Sequence, residues 1–332
     1  MIHDQGKHRN GFPSEWDEIL KQVEIRIATG SHRHRLEGIA GLSSSAFTSL
    51  LQRGPLSPSW SSDGAKFEKA IAALSEWLAN ETAKNSGEPA GYAETPTFRT
   101  IYNRINGVRL DGGLLAQVGG VGVGKSQPAK AVAADHPRTM SKPGAVYVEF
   151  TSSDGNQTAA LAKIAEALSG PLSNAYRSWQ LESAIGEAYR PGDLLILDEC
   201  NELSNAAGII KDLHNRFSWP IVAIGNPDFA LSIYGKKSSF SALASRMPCD
   251  TYSKTTEAYV YVWFVWAGLC GERLLDVAIA IACRNGPMGG LRSLALLIKE
   301  CQRAFPGLQI NAEMLEQVAA AVGRGIQNKR AA

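Results

Sequence analysis

The sequence predicts a parallel α/β domain with an all-helical segment on either side of it. Between about residues 94 and 253, short apolar segments alternate with segments of helical periodicity. This alternation is typical of a parallel sheet that has helices on both faces. Before residue 84 and after residue 254, the apolar residues recur at helical spacing only. We therefore expect a five-stranded parallel sheet in the middle of the chain and helices at both ends.

The expected strands are short apolar segments, at 114–118, 145–150, 194–197, 220–224 and 247–252. Helices are expected between them, for example over 158–168 and 181–189. A polar stretch from Lys84 to Gly91 is typical of a linker. These patterns divide the chain into an N-terminal helical domain (1–83), a linker (84–93), an α/β core (94–254) and a helical lid (255–332).

The composition is that of an ordinary globular protein, with 44% hydrophobic and 20% charged residues in a chain of 332. A net charge of +2 does not indicate a broad basic surface, so contact with nucleic acid has to come from local clusters. The 5 cysteines form no C-x-x-C pair, which argues against a zinc knuckle or a disulfide framework. Reduced thiols in the cytoplasm are the expected state.

The N-terminus is polar and has no apolar signal core, and the most apolar run, 258–270, is too short to span a bilayer. We interpret this run as a buried helix, with a hydrophobic interface between subunits as the alternative. No membrane partner is expected.

A glycine-rich stretch with the pattern G-x-x-x-x-G-K-[ST] connects the first expected strand to a helix-compatible segment, 129–134. The N–H groups of such a loop wrap phosphate oxygens, and the positive end of the following helix favours negative charge. Lys125 is placed to reach the β- and γ-phosphates of a triphosphate, and the Ser126 hydroxyl to ligate Mg²⁺. The sequence thus predicts a site for ATP and Mg²⁺ formed by Gly119, Gly120, Val121, Gly122, Val123, Gly124, Lys125 and Ser126.

Polar residues follow two later strands. Asp198 and Glu199 come directly after the apolar segment 194–197. Asp198 is expected to hold Mg²⁺ through water, and Glu199 to orient and deprotonate the attacking water. Asn226 ends the next apolar segment, where we favour a hydrogen bond to the γ-phosphate or the attacking water. A turn-forming residue before Pro227 is the alternative.

Three arginines are candidates for contact with the nucleotide. Arg246 precedes the last expected strand and is the preferred arginine finger, which one subunit supplies to its neighbour's nucleotide. Arg216 is the competing finger, and a solvated or salt-bridged arginine is the alternative. Arg292 lies in the first turn of an expected lid helix, where the helix dipole disfavours a cation. We therefore interpret it as a residue that leans over the phosphates.

Residues 33–53 predict a helix-turn-helix, with Gly41 at the turn and Ser43 as the cap of the second helix. The candidate phosphate contacts are Arg33 and Arg35, and the candidate groove-facing residues are Ser44, Ser45 and Thr48. A helical bundle that binds protein or only packs is the alternative. A basic loop with Lys236 and Lys237 is a second candidate for contact with a DNA backbone, and an ordinary surface loop is its alternative.

Together these residues resemble the AAA+ class of P-loop ATPases. The order of helix-turn-helix, linker, ATPase core and lid resembles the transposition B proteins of Mu-type transposable phages. Three segments carry the closer match, namely 94–101, Asn226 with the Ser245-Arg246 pair, and 289–292. The resemblance covers about residues 26–305. It departs at Gln127-Pro128, where ordinary helix formers are expected, although proline is tolerated in a first turn.

The resemblance implies an ATPase of the bacterial host cytoplasm that binds double-stranded DNA largely without sequence preference. This ATPase would present target DNA to a transposase, which in turn would stimulate hydrolysis. ATP-bound subunits would assemble side by side, as a helical filament on DNA, with Arg246 completing the neighbouring site. Thr95 and Phe98 would lie where the chain crosses the adenine. The alternative functions are a sequence-specific regulator with an ATPase oligomerisation core, and a replicative helicase loader.

Overall fold

A computed structural model describes residues 14–28, 33–52, 60–84, 91–139, 142–170, 177–235, 238–252, 254–284 and 289–330. The helices are, in chain order, α1 (Ser14–Ala28), α2 (Arg33–Ala40), α3 (Ser44–Leu51), α4 (Trp60–Lys84), α5 (Pro96–Asp111), α6 (Ser126–Asp135), α7 (Gln157–Ser169), α8 (Ser178–Ala188), α9 (Gly208–Phe217), α10 (Pro227–Tyr234), α11 (Ser241–Ala244), α12 (Glu257–Trp266), α13 (Glu272–Ala282), α14 (Gly290–Ala304) and α15 (Ala312–Arg330). The strands are β1 (Leu114–Gly119), β2 (Ala145–Glu149), β3 (Leu194–Asp198), β4 (Ile221–Gly225) and β5 (Cys249–Tyr252). Two 3₁₀ segments, Ser152–Asp154 and Cys200–Ala207, follow β2 and β3.

The strands form one five-stranded sheet in the order β2-β3-β4-β1-β5. β2 pairs with β3 and β3 with β4 in parallel, and all residues of β1, β3 and β4 are buried. Continuous burial is expected where both faces of a parallel sheet are covered. The predicted five-stranded parallel sheet is therefore confirmed. The last strand begins at Cys249 rather than at residue 247, because Pro248 has no N–H to donate to a neighbouring strand.

The described chain divides into two compact units. The first unit holds the described parts of 1–87 together with 105–116 and 129–248. The second unit holds the described parts of 88–104, 117–128 and 249–332. This division follows spatial contact rather than chain order, so the segment boundaries expected from the sequence stay a prediction.

The N-terminal helices α1 to α4 enclose an apolar core of their own, which includes Leu20, Leu36 and Phe47. Gly41, with φ of +63°, makes the turn between α2 and α3. The Ser43 hydroxyl oxygen accepts a hydrogen bond from the Ala46 N–H at 3.3 Å and so caps α3. The turn and the cap expected from the sequence are present, and a role of these helices in binding DNA stays a prediction.

The N-terminal helices also contact the rest of the first unit. Helix α1 contacts β2, which is an edge strand of the sheet. Arg33 packs against Gly170, where an added Cβ would lie 3.2 Å from the arginine Cδ. These contacts join the N-terminal helices to the rest of the first unit by packing as well as by the chain.

In the second unit, helices α12 to α15 pack around a separate apolar cluster that includes Val260, Phe264 and Leu294. The apolar run predicted as a buried helix is α12, but the helix is only partly buried. Tyr261 and Val265, one turn apart, are 56% and 57% exposed. None of the helices in the described ranges combines the length and the apolar character that a bilayer crossing needs.

A buried ion-pair cluster lies just before β3. Asp193 is fully buried. Its carboxylate accepts hydrogen bonds from Arg138 Nε at 2.9 Å and from the N–H groups of Gly144 and Arg190 at 3.0 and 2.9 Å. Arg138 also donates to the Leu168 carbonyl at 2.9 Å. A buried carboxylate is tolerated because its charge is paired and its oxygens are hydrogen-bonded.

We predict that Asp193→Ala lowers the free energy of unfolding by about 3–5 kcal/mol, because it leaves Arg138 largely buried without its counter-charge. Urea unfolding followed by circular dichroism measures the change. Glu94→Ala is the control, since it removes a pair with Arg99 whose two side chains are 62% and 69% exposed. That loss should be below about 1 kcal/mol. Equal urea midpoints for the two variants would contradict the prediction.

Candidate nucleotide-binding site

The predicted phosphate loop connects β1 to α6. The strand ends at Gly119, and the helix begins at Ser126. Pro128 lies in the first turn of α6, where its missing N–H removes no intrahelical hydrogen bond. The strand–loop–helix arrangement expected from the sequence is therefore present. It includes Pro128, at which this sequence departs from the family that it resembles.

Lys125 is held against its own loop. Its Nζ donates hydrogen bonds to the carbonyl oxygens of Gly119 and Gly120, at 2.7 and 3.0 Å. Hydrogen bonds from an ammonium group to an anion are stronger than those to a neutral carbonyl. A phosphate bound in the loop could therefore replace these two carbonyl oxygens as the hydrogen-bond acceptor of Lys125.

The phosphate loop contacts the first turn of α14 within the second unit. The Leu291 N–H donates to the Gly122 carbonyl at 3.2 Å. Gly122 and Gly290 have φ of +81° and +83°, and a Cβ on Gly290 would lie 3.1 Å from the Gly122 Cα. A side chain at either position would meet backbone atoms that cannot rotate away, and the positive φ is strained for any other residue. Glycine is therefore required at both positions.

Arg292 follows this contact in the first turn of α14. A Cβ on Gly122 would lie 3.7 Å from the Arg292 Cβ, so the arginine starts beside the phosphate loop. Its side chain is exposed, and within the described part of the chain no acceptor holds the guanidinium group. A cation in this place is disfavoured by the helix dipole, and a phosphate in the adjacent loop would offset that cost.

Thr95 and Phe98, the expected adenine contacts, lie at the start of α5, in the second unit. The Thr95 hydroxyl oxygen accepts from the Phe98 N–H at 3.1 Å and caps the helix. Phe98 is buried between Tyr92 and Tyr102, with ring centroids 5.6 and 6.0 Å away. Both residues therefore have structural roles, and their contact with adenine stays a prediction.

Asp198 is the last residue of β3 and is 2% exposed. Its Oδ2 accepts a hydrogen bond from the Tyr147 hydroxyl at 2.6 Å, and its Oδ1 accepts one from the Glu199 N–H at 2.8 Å. Burial, with the nearby Asp198 charge, raises the pKa of Tyr147 far above its usual value. The phenol therefore stays protonated and acts as a donor to the carboxylate.

Glu199, the expected general base, has a left-handed backbone conformation with φ of 54° and ψ of 41°. This conformation costs free energy in a residue other than glycine, and such residues cluster at functional sites. Its N–H is fixed by the Asp198 carboxylate. The strain at this residue is consistent with the role that the sequence predicts for it.

Asn226 caps α10. Its Oδ1 accepts hydrogen bonds from the N–H groups of Asp228 and Phe229 at 2.9 and 3.1 Å. The turn-forming role that was the alternative for this residue is therefore present. The amide Nδ2 is the group left to contact a phosphate or a water, and that second role stays a prediction.

The two candidate arginine fingers have different partners. Arg216 donates to the Glu182 carboxylate at 2.8 Å. Arg246 is exposed and donates to the neutral Asn215 Oδ1 at 2.6 Å. A guanidinium that is paired with a carboxylate loses a strong, charge-assisted hydrogen bond when it moves to a phosphate. A guanidinium that is bonded to a neutral amide loses a weaker one. Arg246 would therefore give up less than Arg216 on contact with a nucleotide, and the finger role of either residue stays a prediction.

Three of the candidate DNA contacts form a polar network within α2 and α3. Arg33 Nε donates to the Glu37 carboxylate at 2.9 Å, and the guanidinium also donates to the Thr48 hydroxyl. The Ser44 hydroxyl donates to the same Glu37 oxygen at 2.9 Å. The side chains of Arg33 and Glu37 are only 13% and 6% exposed. These hydrogen bonds give Arg33, Ser44 and Thr48 structural roles, and DNA binding by them stays a prediction.

The other candidate DNA contacts are Arg35, Ser45, Lys236 and Lys237. Arg35 and Ser45 are exposed, on α2 and α3. Lys236 and Lys237 lie outside the described residues.

The available oxygen ligands suit Mg²⁺. This ion is usually bound through one or two protein oxygens together with substrate phosphates, rather than by a cage of protein ligands. The Ser126 hydroxyl and the Asp198 carboxylate are ligands of that kind. Within the described ranges, no group of three or more His, Cys, Asp and Glu residues is placed to hold a metal by itself. Each of these two oxygens is of the kind that Mg²⁺ uses, and binding of one ion by both stays a prediction.

Two features of the site were not predicted from the sequence. The first is Tyr147, whose signal is a hydroxyl in a strand that is otherwise apolar up to Glu149. A buried tyrosine usually finds a partner for its O–H group. The second is the packing of Gly290 on Gly122, for which the Gly289-Gly290 pair is a weak signal because glycines have many other uses.

We predict that Gly290→Ala weakens ATP binding by at least about tenfold, because its Cβ would displace the phosphate loop. Isothermal titration calorimetry measures the affinity. Gly307→Ala is the matched control, since Gly307 has φ of +77° in the same unit but open space where a Cβ would lie. The two variants share the backbone strain and differ in the contact. An equal loss of affinity in both would show that strain, and not the contact with the loop, is responsible.

Comparison with known proteins agrees with this fold. Residues 108–231 match a family described as an AAA domain. No curated protein sequence matches the chain significantly. The ORC2 protein of Aeropyrum pernix has a similar structure, with 14% identity and a TM-score of 0.52 in its ADP form, and 13% and 0.51 in its ADPNP–ADP complexes. Each match covers 70% of this chain and 70% of the other. The chain therefore has an AAA+ P-loop fold, and its AAA domain match covers the sheet from β1 to β4.

Proposed function

We propose that this protein is an ATPase that binds double-stranded DNA with little sequence preference, selects it as a target and delivers it to a transposase. The observation that carries the ATPase part is the phosphate loop packed on the first turn of α14, with Lys125 in the loop and Arg292 beside it. The solved ORC2 structures are complexes with ADP and ADPNP. Their similarity in fold supports the same class of ligand here.

In this proposal, the N–H groups of residues 119–126 bind the phosphates of ATP. Lys125 exchanges the carbonyls of Gly119 and Gly120 for the β- and γ-phosphates, because an anion is the stronger acceptor. Arg292 adds a second cation from α14. The Ser126 hydroxyl and the Asp198 carboxylate would hold Mg²⁺, which would neutralise charge on the phosphates.

The residues after β3 and β4 act on the water that attacks the γ-phosphate. Glu199 accepts its proton, and the Nδ2 of Asn226 helps to orient it. Arg246 comes from the adjacent subunit and stabilises the charge on the phosphate that is transferred. Hydrolysis would therefore depend on subunits assembled side by side, as in a filament on DNA.

The transposase and the DNA-delivery role rest on the resemblance to the phage transposition B proteins. The structure supports a contact with DNA through α2 and α3, which are joined by the expected turn and expose Arg35 and Ser45. A contact made mainly through phosphates would bind most sequences alike.

We predict that Glu199→Gln traps the ATP-bound, DNA-bound state, because ATP still binds while the water loses its base. ATPase activity should fall by about 10²–10⁴-fold, and DNA retention with Mg·ATP should outlast that of the wild type. Filter binding over time measures the retention. Glu202→Gln is the matched control, since Glu202 lies in the 3₁₀ segment that follows Glu199 and bonds the Asn201 amide at 3.0 Å.

The trapped complex also separates the candidate functions. Electron microscopy with long duplex DNA should show filaments, and footprinting should show uniform coverage. Closed rings would support a helicase loader instead, and isolated dimers on one protected sequence would support a regulator. If Glu199→Gln retained DNA no longer than the wild type, ATP would not be the switch for DNA binding.

We predict that Arg246→Ala reduces DNA-dependent ATPase activity by about 10³-fold, whereas Arg216→Ala has a much smaller effect. The specific test is a mixture of Arg246→Ala and Glu199→Gln subunits. At one type of interface in the mixture, Glu199 and Arg246 are both intact, so part of the activity should return. A mixture no more active than the separate variants would contradict a finger supplied by the neighbour.

A further inference from the structure

Tyr147 connects β2 to the carboxylate that ends β3. Its Cα partner in the parallel register is Ile196, so Asp198 lies two residues further along on the same face of the sheet. The hydroxyl is 2.6 Å from Asp198 Oδ2, and the tyrosine is 3% exposed. A hydrogen bond to a carboxylate is strong, and burial strengthens it because water does not compete.

The second oxygen of the same carboxylate holds the next residue. Asp198 Oδ1 accepts from the Glu199 N–H at 2.8 Å, and Glu199 is in a left-handed conformation with φ of 54°. Such a conformation persists only when surrounding contacts enforce it. By fixing one carboxylate oxygen, Tyr147 sets the plane in which the other oxygen meets the Glu199 backbone.

Two further residues direct the tyrosine proton to Asp198. The Tyr147 oxygen lies 3.3 Å from Glu149 Oε2, which is longer than its 2.6 Å distance to Asp198. Lys130 Nζ lies 3.4 Å from the same Glu149 oxygen and 5.2 Å from the tyrosine ring centroid. A hydroxyl has one proton to donate, and Lys130 offsets the charge of Glu149. Asp198 is therefore the preferred acceptor.

We infer that Tyr147 is a positioning residue, which holds the Asp198 carboxylate, and through it the backbone of Glu199, in the arrangement that a Mg²⁺-bound triphosphate requires. This inference rests on the proposed ATPase function. On this inference, Tyr147 affects the gain in ATP affinity that Mg²⁺ provides. It does not affect the ATP affinity that the phosphate loop provides in the absence of metal. A tyrosine that only stabilised the fold would affect both alike.

The test compares ATP affinity in excess Mg²⁺ and in EDTA for the wild type and Tyr147→Phe. This change removes the hydroxyl and keeps the ring. We expect affinity in Mg²⁺ to fall about tenfold, as for other residues that orient a metal ligand, and affinity in EDTA to stay within about twofold. Tyr189→Phe is the matched control, since this tyrosine lies in the same unit and packs on Trp219 with ring centroids 4.9 Å apart. It should change neither affinity.

A double-mutant cycle tests whether Tyr147 acts through Asp198. Asp198→Asn alone and Asp198→Asn with Tyr147→Phe should bind Mg·ATP equally, because residues that act through one another are not additive. Additive losses, equal losses in Mg²⁺ and EDTA, or no loss in Tyr147→Phe would each overturn the inference and leave the proposed ATPase intact. A wild-type protein that gains nothing from Mg²⁺ would also overturn it. A wild-type protein that binds no ATP in either condition would overturn the proposed function itself.

Discussion

A parallel sheet that is covered on both faces leaves polar side chains few places except the ends of its strands. Here every residue of β1, β3 and β4 is buried, and a polar residue or the phosphate loop follows each of these three strands. Asp198 is nearly inaccessible, yet both of its carboxylate oxygens accept hydrogen bonds at 2.6 and 2.8 Å. The cost of burying this charge is offset by donors on β2 and on the following residue. The geometry of the candidate site depends on that compensation.

Backbone conformations with a positive φ occur beside candidate site residues in both units. In the first unit, Glu199 is left-handed directly after β3. In the second unit, Gly122 and Gly290 are left-handed and in contact, so that the phosphate loop and the first turn of α14 can approach closely. The conformation costs free energy at Glu199, which is not a glycine, and persists only where the surroundings enforce it. Glycine adopts a positive φ without that cost. In the first unit the strained residue lies next to Asp198, and in the second unit the paired glycines lie beside Lys125 and Arg292. In each unit, the backbone beside these candidate residues is therefore held in place by its surroundings.

In the N-terminal helices, some candidate DNA contacts are held by other residues and some are exposed. Arg33 is mostly buried and is bonded to Glu37 and Thr48, and it packs on Gly170 in the same unit. Releasing it to a DNA phosphate would break an ion pair and leave Glu37 buried and uncompensated. Arg35 and Ser45 are exposed and carry no such cost. The polar network therefore leaves Arg35 and Ser45 as the exposed candidates for contact with DNA, and the packing of Arg33 on Gly170 joins α2 to the rest of the first unit.

By itself, the sequence determined the features that depend on neighbouring residues. Apolar runs located the strands, glycine spacing located the phosphate loop, and Gly41 with Ser43 located the turn between α2 and α3, because each of these signals is contained within a few positions of the chain. Only the tertiary structure decided which distant residues meet. Tyr147 and Asp198 are 51 positions apart, and they meet because the parallel register of β2 and β3 brings them to one face. Gly290 meets Gly122 because α14 folds back onto the phosphate loop, and no local pattern specifies that approach.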